Sequence, residues 1–254
     1  MRTVYLLPLP MPTLLRQSWK FFQKRLPAVL PSACVLCGTV CDDNLCVSCE
    51  AQFFDYRPMR CAQCANPLPH AMAESAVCGA CLKQSPAFDA TLVAIDYAAP
   101  VDQMVLALKF GGQLALARLL ARLLYNALPA DAAMPDLLLP VPLARERLAG
   151  RGFNQSLEIV RHLSQRLAIP FEAALAIRVR ETAAQSLLPV SERHKNVRRA
   201  FTLDANGLGR IRGRHVGLVD DVMTTGETLG ELAAVLKRFG AARVTNLVFA
   251  RASH

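Results

Sequence analysis

The sequence predicts an α/β protein, in which a mostly parallel sheet with flanking helices is preceded by a small cysteine-rich module. Three observations carry this expectation. Residues 215–230, HVGLVDDVMTTGETLG, read as a buried strand, a pair of carboxylates, a small-residue loop and a helix. From Phe88 onward, strand-like and helix-like runs alternate, as they do when helices cross over between parallel strands. All nine cysteines fall in one early stretch, from Cys34 to Cys81, and the rest of the chain has none.

Composition narrows the function classes. The 254 residues are 53% hydrophobic and 19% charged, enough for a sizeable core and too apolar for a disordered chain. The formal charge of +9 favours anionic partners such as phosphorylated ligands, nucleic acid or an acidic membrane face, although basic side chains also simply solvate surfaces. No apolar run reaches the roughly 18 residues that a membrane-spanning helix needs. Residues 1–33 form a basic N-terminal segment. Three prolines interrupt its apolar start, and no small-residue cleavage site follows. Within it LLRQSWKFFQKRL (14–26), with Trp19, Phe21 and Phe22, reads as a short amphipathic helix. Packing against protein is favoured over lying on a membrane. The expected location is cytoplasmic, with peripheral contact at the inner membrane left open.

Residues 34–85 hold four C-x-x-C pairs: Cys34/Cys37, Cys46/Cys49, Cys61/Cys64 and Cys78/Cys81. Each such turn points two thiolates at one metal, and two turns complete a tetrahedral site. Disulfides are disfavoured because no secretion signal is present, and one redox motif does not explain four pairs. Two structural Zn2+ sites are expected. Pairing in sequence order closes the shorter loops and is preferred over a cross-braced alternative. Cys41 and His70 are expected not to be ligands. A module this short has little core, so the metals would supply much of its folding free energy.

The larger part, residues 88–254, is read element by element. Strands are expected at 91–97, 137–141 and 244–250; the second should end at Pro140, which donates no ladder hydrogen bond. Helices are expected at 101–110, 114–128 and 155–167, each with apolar residues at helical spacing. Lys109-Phe110-Gly111-Gly112 ends the first helix, read either as a glycine stop or as a ligand contact. PVPLARERLAGRGFNQS (140–156) brings Arg145, Arg147 and Arg151 after a strand. A further basic stretch, 178–201, contains Arg178, Arg180, Thr182, Gln185, Arg193, Asn196 and Arg198. It reads either as a cover over a site or as a nucleic-acid face.

The chemistry concentrates in residues 216–239. A strand at 216–219 would deliver Asp220 and Asp221 to a crevice at its carboxyl end. Thr224, Thr225, Gly226, Glu227 and Thr228 then offer hydroxyls and backbone N–H groups to an anion at the positive end of a helix over 229–239. This stretch closely resembles the phosphoribosyl-pyrophosphate (PRPP) motif of type I phosphoribosyltransferases. The resemblance implies that Asp220 and Asp221 hold the ribose hydroxyls, and that the loop including Met223 and Thr224 to Thr228 wraps the 5′-phosphate. PRPP would bind with Mg2+, and Arg145, Arg147, Arg151, Arg178 and Arg180 are candidates for the pyrophosphate.

Taken in order, the cysteine-rich start, LKFGG, PVPLARERLAGRGFNQS, R-x-R-x-T-x-x-Q-S-L…R-x-x-N-V-R-x-A-F and VGLVDDVMTTGET resemble the bacterial ComF family over nearly the whole chain. That resemblance implies a double zinc ribbon followed by a type I phosphoribosyltransferase-like domain. It also implies a role in natural competence or in the use of external DNA. Single-stranded DNA, a competence helicase and an inner-membrane DNA channel are the implied partners. Two functions are expected to compete: PRPP binding with phosphoribosyl transfer to an unidentified acceptor, or an inactive adaptor of the same fold that binds single-stranded DNA.

Overall fold

The computed structural model describes residues 32–69, 77–180 and 199–252. The expected helix at 14–26, His70, and Thr182, Gln185, Arg193, Asn196 and Arg198 lie outside the described residues. Four parallel strands form the main sheet: β3 (Ala90–Asp96), β4 (Leu137–Pro140), β7 (His215–Met223) and β8 (Arg243–Arg251), in the order β3-β8-β7-β4. Two short antiparallel pairs stand apart from it: β1 (Ser32–Ala33) with β2 (Val40–Cys41), and β5 (Ala176–Arg178) with β6 (Phe201–Leu203).

Alternation along the strands builds one core on each side of the sheet. Leu137, Leu139, Val216, Leu218, Val244 and Val248 pack with the apolar stripe of α7 (Glu227–Arg238), which comprises Leu229, Leu232, Ala233, Val235 and Leu236. Leu138, Val219, Leu247 and Phe249 pack instead with α3 (Val101–Gly111), α4 (Ala115–Ala127) and α6 (Gln155–Leu167). Periodicity explains each helix. Val101, Met104, Val105 and Leu108 bury one side of α3, and Leu116, Leu119, Leu120, Leu123 and Leu124 bury one side of α4. The Lys109–Gly112 motif contains a glycine stop, since Gly112 ends α3 at φ +63° with its N–H on the Ala107 carbonyl.

The cysteine module adds α1 (Val47–Phe54) and α2 (Gly79–Lys83) and contributes to both cores. Cys34, Leu45, Cys49 and Phe54 join the α3–α4–α6 side, where the Phe54 and Phe249 rings lie 6.5 Å apart. Cys61, Cys64, Cys81 and Phe88 join the α7 side. Ion pairs rim the first contact: Arg122 of α4 reaches Glu50 at 2.8 Å and Asp43 at 3.3 Å. Arg60 pairs with Asp96 of β3 at 2.8 Å beside the second. Among the described residues no helix is long and apolar enough to cross a membrane.

Two elements differ from the sequence expectation. The strand expected at 216–219 continues through both acids to Met223, because β8 is equally long and pairs with it to the end, Asp220 with Val248 and Met223 with Arg251. In the 140–156 stretch Arg145–Arg151 forms a short helix, α5, that the sequence reading did not place, closed by Gly152 at φ +81°. Within β7 only a glycine fits at position 217. A Cβ there would stand 2.7 Å from side-chain atoms of both Leu138 and Pro135, and 3.1 Å from one of Leu247. Gly217→Ala is expected to overpack this junction and cost about 1–3 kcal/mol, read as a lower urea midpoint with an unchanged slope.

Candidate acid-pair site and tetra-cysteine centres

The end of β7 carries Asp220 and Asp221 in extended backbone, one half-buried and the other only 2% exposed. Their partners come from the start of α6 and the end of α3. Asn154 caps α6, accepting from the Ser156 N–H at 3.0 Å and donating its own amide to the Val141 carbonyl at 3.0 Å. This cap fixes the next two side chains: the Ser156 hydroxyl donates to Asp220 Oδ1 at 2.8 Å, and the Gln155 amide reaches Asp221 Oδ1 at 3.5 Å. From the other side Lys109 Nζ lies 2.6 Å from Asp221 Oδ2. That oxygen is buried yet makes no hydrogen bond, so the lysine contact is ionic and off the hydrogen-bonding direction.

Burial and the neighbouring Asp221 charge push the Asp220 carboxyl up to about 7, against the hydrogen bond from Ser156 and the Lys109 charge, which pull it down. After Met223 the chain turns through Thr224, Thr225 and Gly226 into α7, whose first residue is Glu227 and second Thr228. Gly226 adopts φ +86° at the helix N-cap, a conformation that favours glycine. Thr225 Oγ1 is buried with no hydrogen-bond partner among the described residues, an arrangement that costs free energy.

Among the predicted arginines, Arg151 is drawn to this site. Its Nη1 donates to Gln155 Oε1 at 2.5 Å and its guanidinium lies 5.2 Å from the Phe110 ring centre. Arg145 and Arg147 share α5 with it, exposed and half-buried respectively. Arg178 stacks over Phe201 at 5.3 Å in the β5–β6 pair, and exposed Arg180 lies two residues beyond, next to the segment outside the described residues.

One residue that sequence reasoning missed is Arg251, the last of β8 and 3% exposed. Its Nε donates to the Cys64 carbonyl at 3.0 Å and its Nη1 to the Met223 carbonyl at 3.2 Å, and Nη1 also reaches the carbonyls of Thr224 and Ala252. The guanidinium therefore ties the Cys61–Cys64 turn to the loop after the acids. An arginine at the end of an otherwise apolar strand was the available signal.

The eight paired cysteines form two clusters, Cys34/Cys37/Cys46/Cys49 and Cys61/Cys64/Cys78/Cys81, each with its sulfurs within 4.8 Å of one another. This matches the grouping in sequence order. Sulfur–sulfur separations of 3.7 Å (Cys37–Cys46) and 3.6 Å (Cys64–Cys78) suit a tetrahedron with Zn–S bonds of about 2.3 Å, whose edges measure roughly 3.8 Å. The two sites are built alike. In each, the first pair forms a tight turn, closed by Gly38 N–H on the Cys34 carbonyl and by Ala65 N–H on the Cys61 carbonyl, both at positive φ. The second pair opens a helix, with Cys46 and Cys78 at the N-caps. Burial raises the Cys61 thiol, but the N–H groups of Cys64, Cys78 and Gln63 outweigh it and bring the thiol to about 7. Backbone N–H groups bring Cys34 to about 6 against the same burial. Burial and the neighbouring thiols push Cys49, Cys64 and Cys81 the other way, so the fit to zinc rests on the four-sulfur geometry of each cluster. Cys41 stands outside both clusters, its Sγ on the Asp43 carbonyl.

A double zinc ribbon family model matches residues 26–82, and a phosphoribosyl transferase domain model matches residues 154–254. The molecule is a double zinc ribbon followed by a phosphoribosyltransferase-type domain. Competence protein F of Haemophilus influenzae is 34% identical over 221 residues, covering 84% of this chain and 93% of that protein. The DNA utilization protein YhgH of Escherichia coli is 35% identical over 189 residues, covering 72% of this chain and 80% of its own. The chain belongs to the ComF family.

Two outcomes follow from the geometry. The folded Asp220 carboxyl sits above its unfolded value of about 3.9, so the stability it contributes is full below pH 4 and is lost as pH rises through about 7. Asp220→Asn keeps an acceptor for Ser156 and removes the charge. It should melt above the wild type at pH 8, by on the order of 2 kcal/mol, with the gap closing toward pH 4. Arg251→Met strands the carbonyls of Cys64 and Thr224, while that of Met223 keeps the Ala252 N–H, and should destabilise by about 3 kcal/mol in thermal unfolding, with Arg251→Lys recovering only part.

Proposed function

We propose that the chain binds PRPP with Mg2+ at the tip of β7 and serves the uptake or use of external DNA on the cytoplasmic side of the inner membrane. The observation that supports this most is the meeting of an acid pair, a buried hydroxyl without a partner at Thr225, and the N-terminus of α7. In this reading Asp220 and Asp221 accept hydrogen bonds from the ribose hydroxyls. The backbone N–H groups and hydroxyls from Met223 to Thr228 receive the 5′-phosphate at the positive end of the helix. The pyrophosphate points toward α5, where Arg145, Arg147 and Arg151 supply positive charge, with Arg178 and Arg180 as a second source.

The acid pair offers the oxygen donors that a hard cation takes, and bound Mg2+ would neutralise charge on the pyrophosphate. If an acceptor attacks C1 of the ribose, the contribution of these residues is positioning and electrostatic stabilisation of the departing pyrophosphate. The charge of +9 and the DNA-related names of the relatives support contact with single-stranded DNA. They equally favour an adaptor that holds PRPP without turnover and engages a helicase or a membrane DNA channel.

Calorimetric titration of the zinc-loaded protein with PRPP and Mg2+ tests the reading. Saturable binding is expected for the wild type, with a loss of at least about 100-fold in Asp220→Ala/Asp221→Ala, since each hydrogen bond to a charged group contributes roughly 1.5–3 kcal/mol. A folded wild type that does not bind would overturn it.

A further inference from the structure

We propose that Phe110, with Arg151 over its ring, is a stacking platform for a planar nucleobase at the rim of the acid-pair site; its placement as the acceptor side rests on the PRPP reading. Phe110 is 75% exposed, while its α3 neighbours Val105 and Leu108 are fully buried, so the ring contributes little to the core. It is nevertheless held in place. Arg151 lies 5.2 Å from its centre, Arg151 is hydrogen-bonded to Gln155, Gln155 reaches Asp221, and Lys109, adjacent to Phe110, is paired with the same carboxylate. The ring is thus linked through Arg151 and Gln155 to the acid that the ribose would meet, and its chain neighbour Lys109 pairs with the same acid. Among the described residues nothing lies within 4 Å of the space a Cβ at Gly112, two positions on, would fill.

The chemistry of this platform selects its ligand. An aromatic face with a guanidinium beside it attracts flat, polarisable heteroaromatic rings through stacking and cation–π contact. A nucleobase is such a ring, and it has two sources: a free base, positioned near C1 of a bound ribose, or a base within single-stranded DNA threading past the site. Small anions gain nothing from the phenyl ring.

The fluorescent base 2-aminopurine distinguishes these sources, because stacking on an aromatic ring quenches it. Wild type, Phe110→Leu and Phe110→Trp would each be titrated into free 2-aminopurine and into an oligothymidylate carrying it, with and without PRPP and Mg2+. Quenching by the wild type is expected, with affinity about 10-fold weaker in Phe110→Leu and restored in Phe110→Trp. Quenching of the free base only in the presence of PRPP identifies the acceptor side. Quenching of the oligonucleotide irrespective of PRPP identifies a DNA contact. Equal quenching by wild type and Phe110→Leu, or none by a wild type that binds PRPP, would overturn the platform. Calorimetry with PRPP on the same wild-type sample reads the phosphate loop separately, so quenching that persists without PRPP binding would sink the PRPP reading and leave the platform standing.

Discussion

A single buried guanidinium joins three parts of this molecule. Arg251 ends β8, one of the two longest strands of the sheet, and places its donors on the carbonyls of Cys64, Met223 and Thr224. Those carbonyls belong to a cysteine turn and, far along the chain, to a strand end and the loop that continues from it. A charge this deep is tolerated only when carbonyl dipoles and neighbouring thiolates replace its hydration. The arrangement makes the loop geometry depend on the cysteine turn. The zinc ribbon is therefore part of the support of the candidate site as well as a neighbour of it.

The acid pair shows the opposite balance. Two carboxylates at successive positions of one strand repel each other, and burial adds to the cost. Ser156, Gln155 and Lys109 offset the repulsion without removing it, and Asp221 Oδ2 and Thr225 Oγ1 remain without hydrogen bonds. Unsatisfied polar atoms are rare in folded interiors. Two of the six buried side-chain atoms that lack a hydrogen bond among the described residues lie at this strand end.

Much of this was legible from the chain. The spacing of the cysteines foretold two clusters, because a C-x-x-C turn has little choice of geometry. The alternation of strands and helices foretold the parallel sheet, since Leu116 to Leu124 and Ile159 to Leu163 bury stripes at helical spacing. What escaped depends on contacts across the sequence. Asp220 and Asp221 stay within β7 because β8 runs alongside them, and one strand does not disclose its neighbour's length. The Asn154-Gln155-Ser156 run was read for the arginines before it, whereas its own side chains cap α6 and hold the acids. Arg251 left only the trace of a charge after an apolar strand, and its partners lie up to 187 positions away.

The two cysteine clusters belong to different cores, one on each side of the sheet, although they are consecutive in sequence. The linker near Phe88 looks like a place to cut, yet it separates nothing in three dimensions. A fragment beginning there would bare apolar surface on both sides of the sheet, around Phe249 on one and around Leu229 on the other. The ribbon thus behaves as a clasp closed over the edge of the domain. Exchange of modules between related chains would have to carry clasp and sheet together.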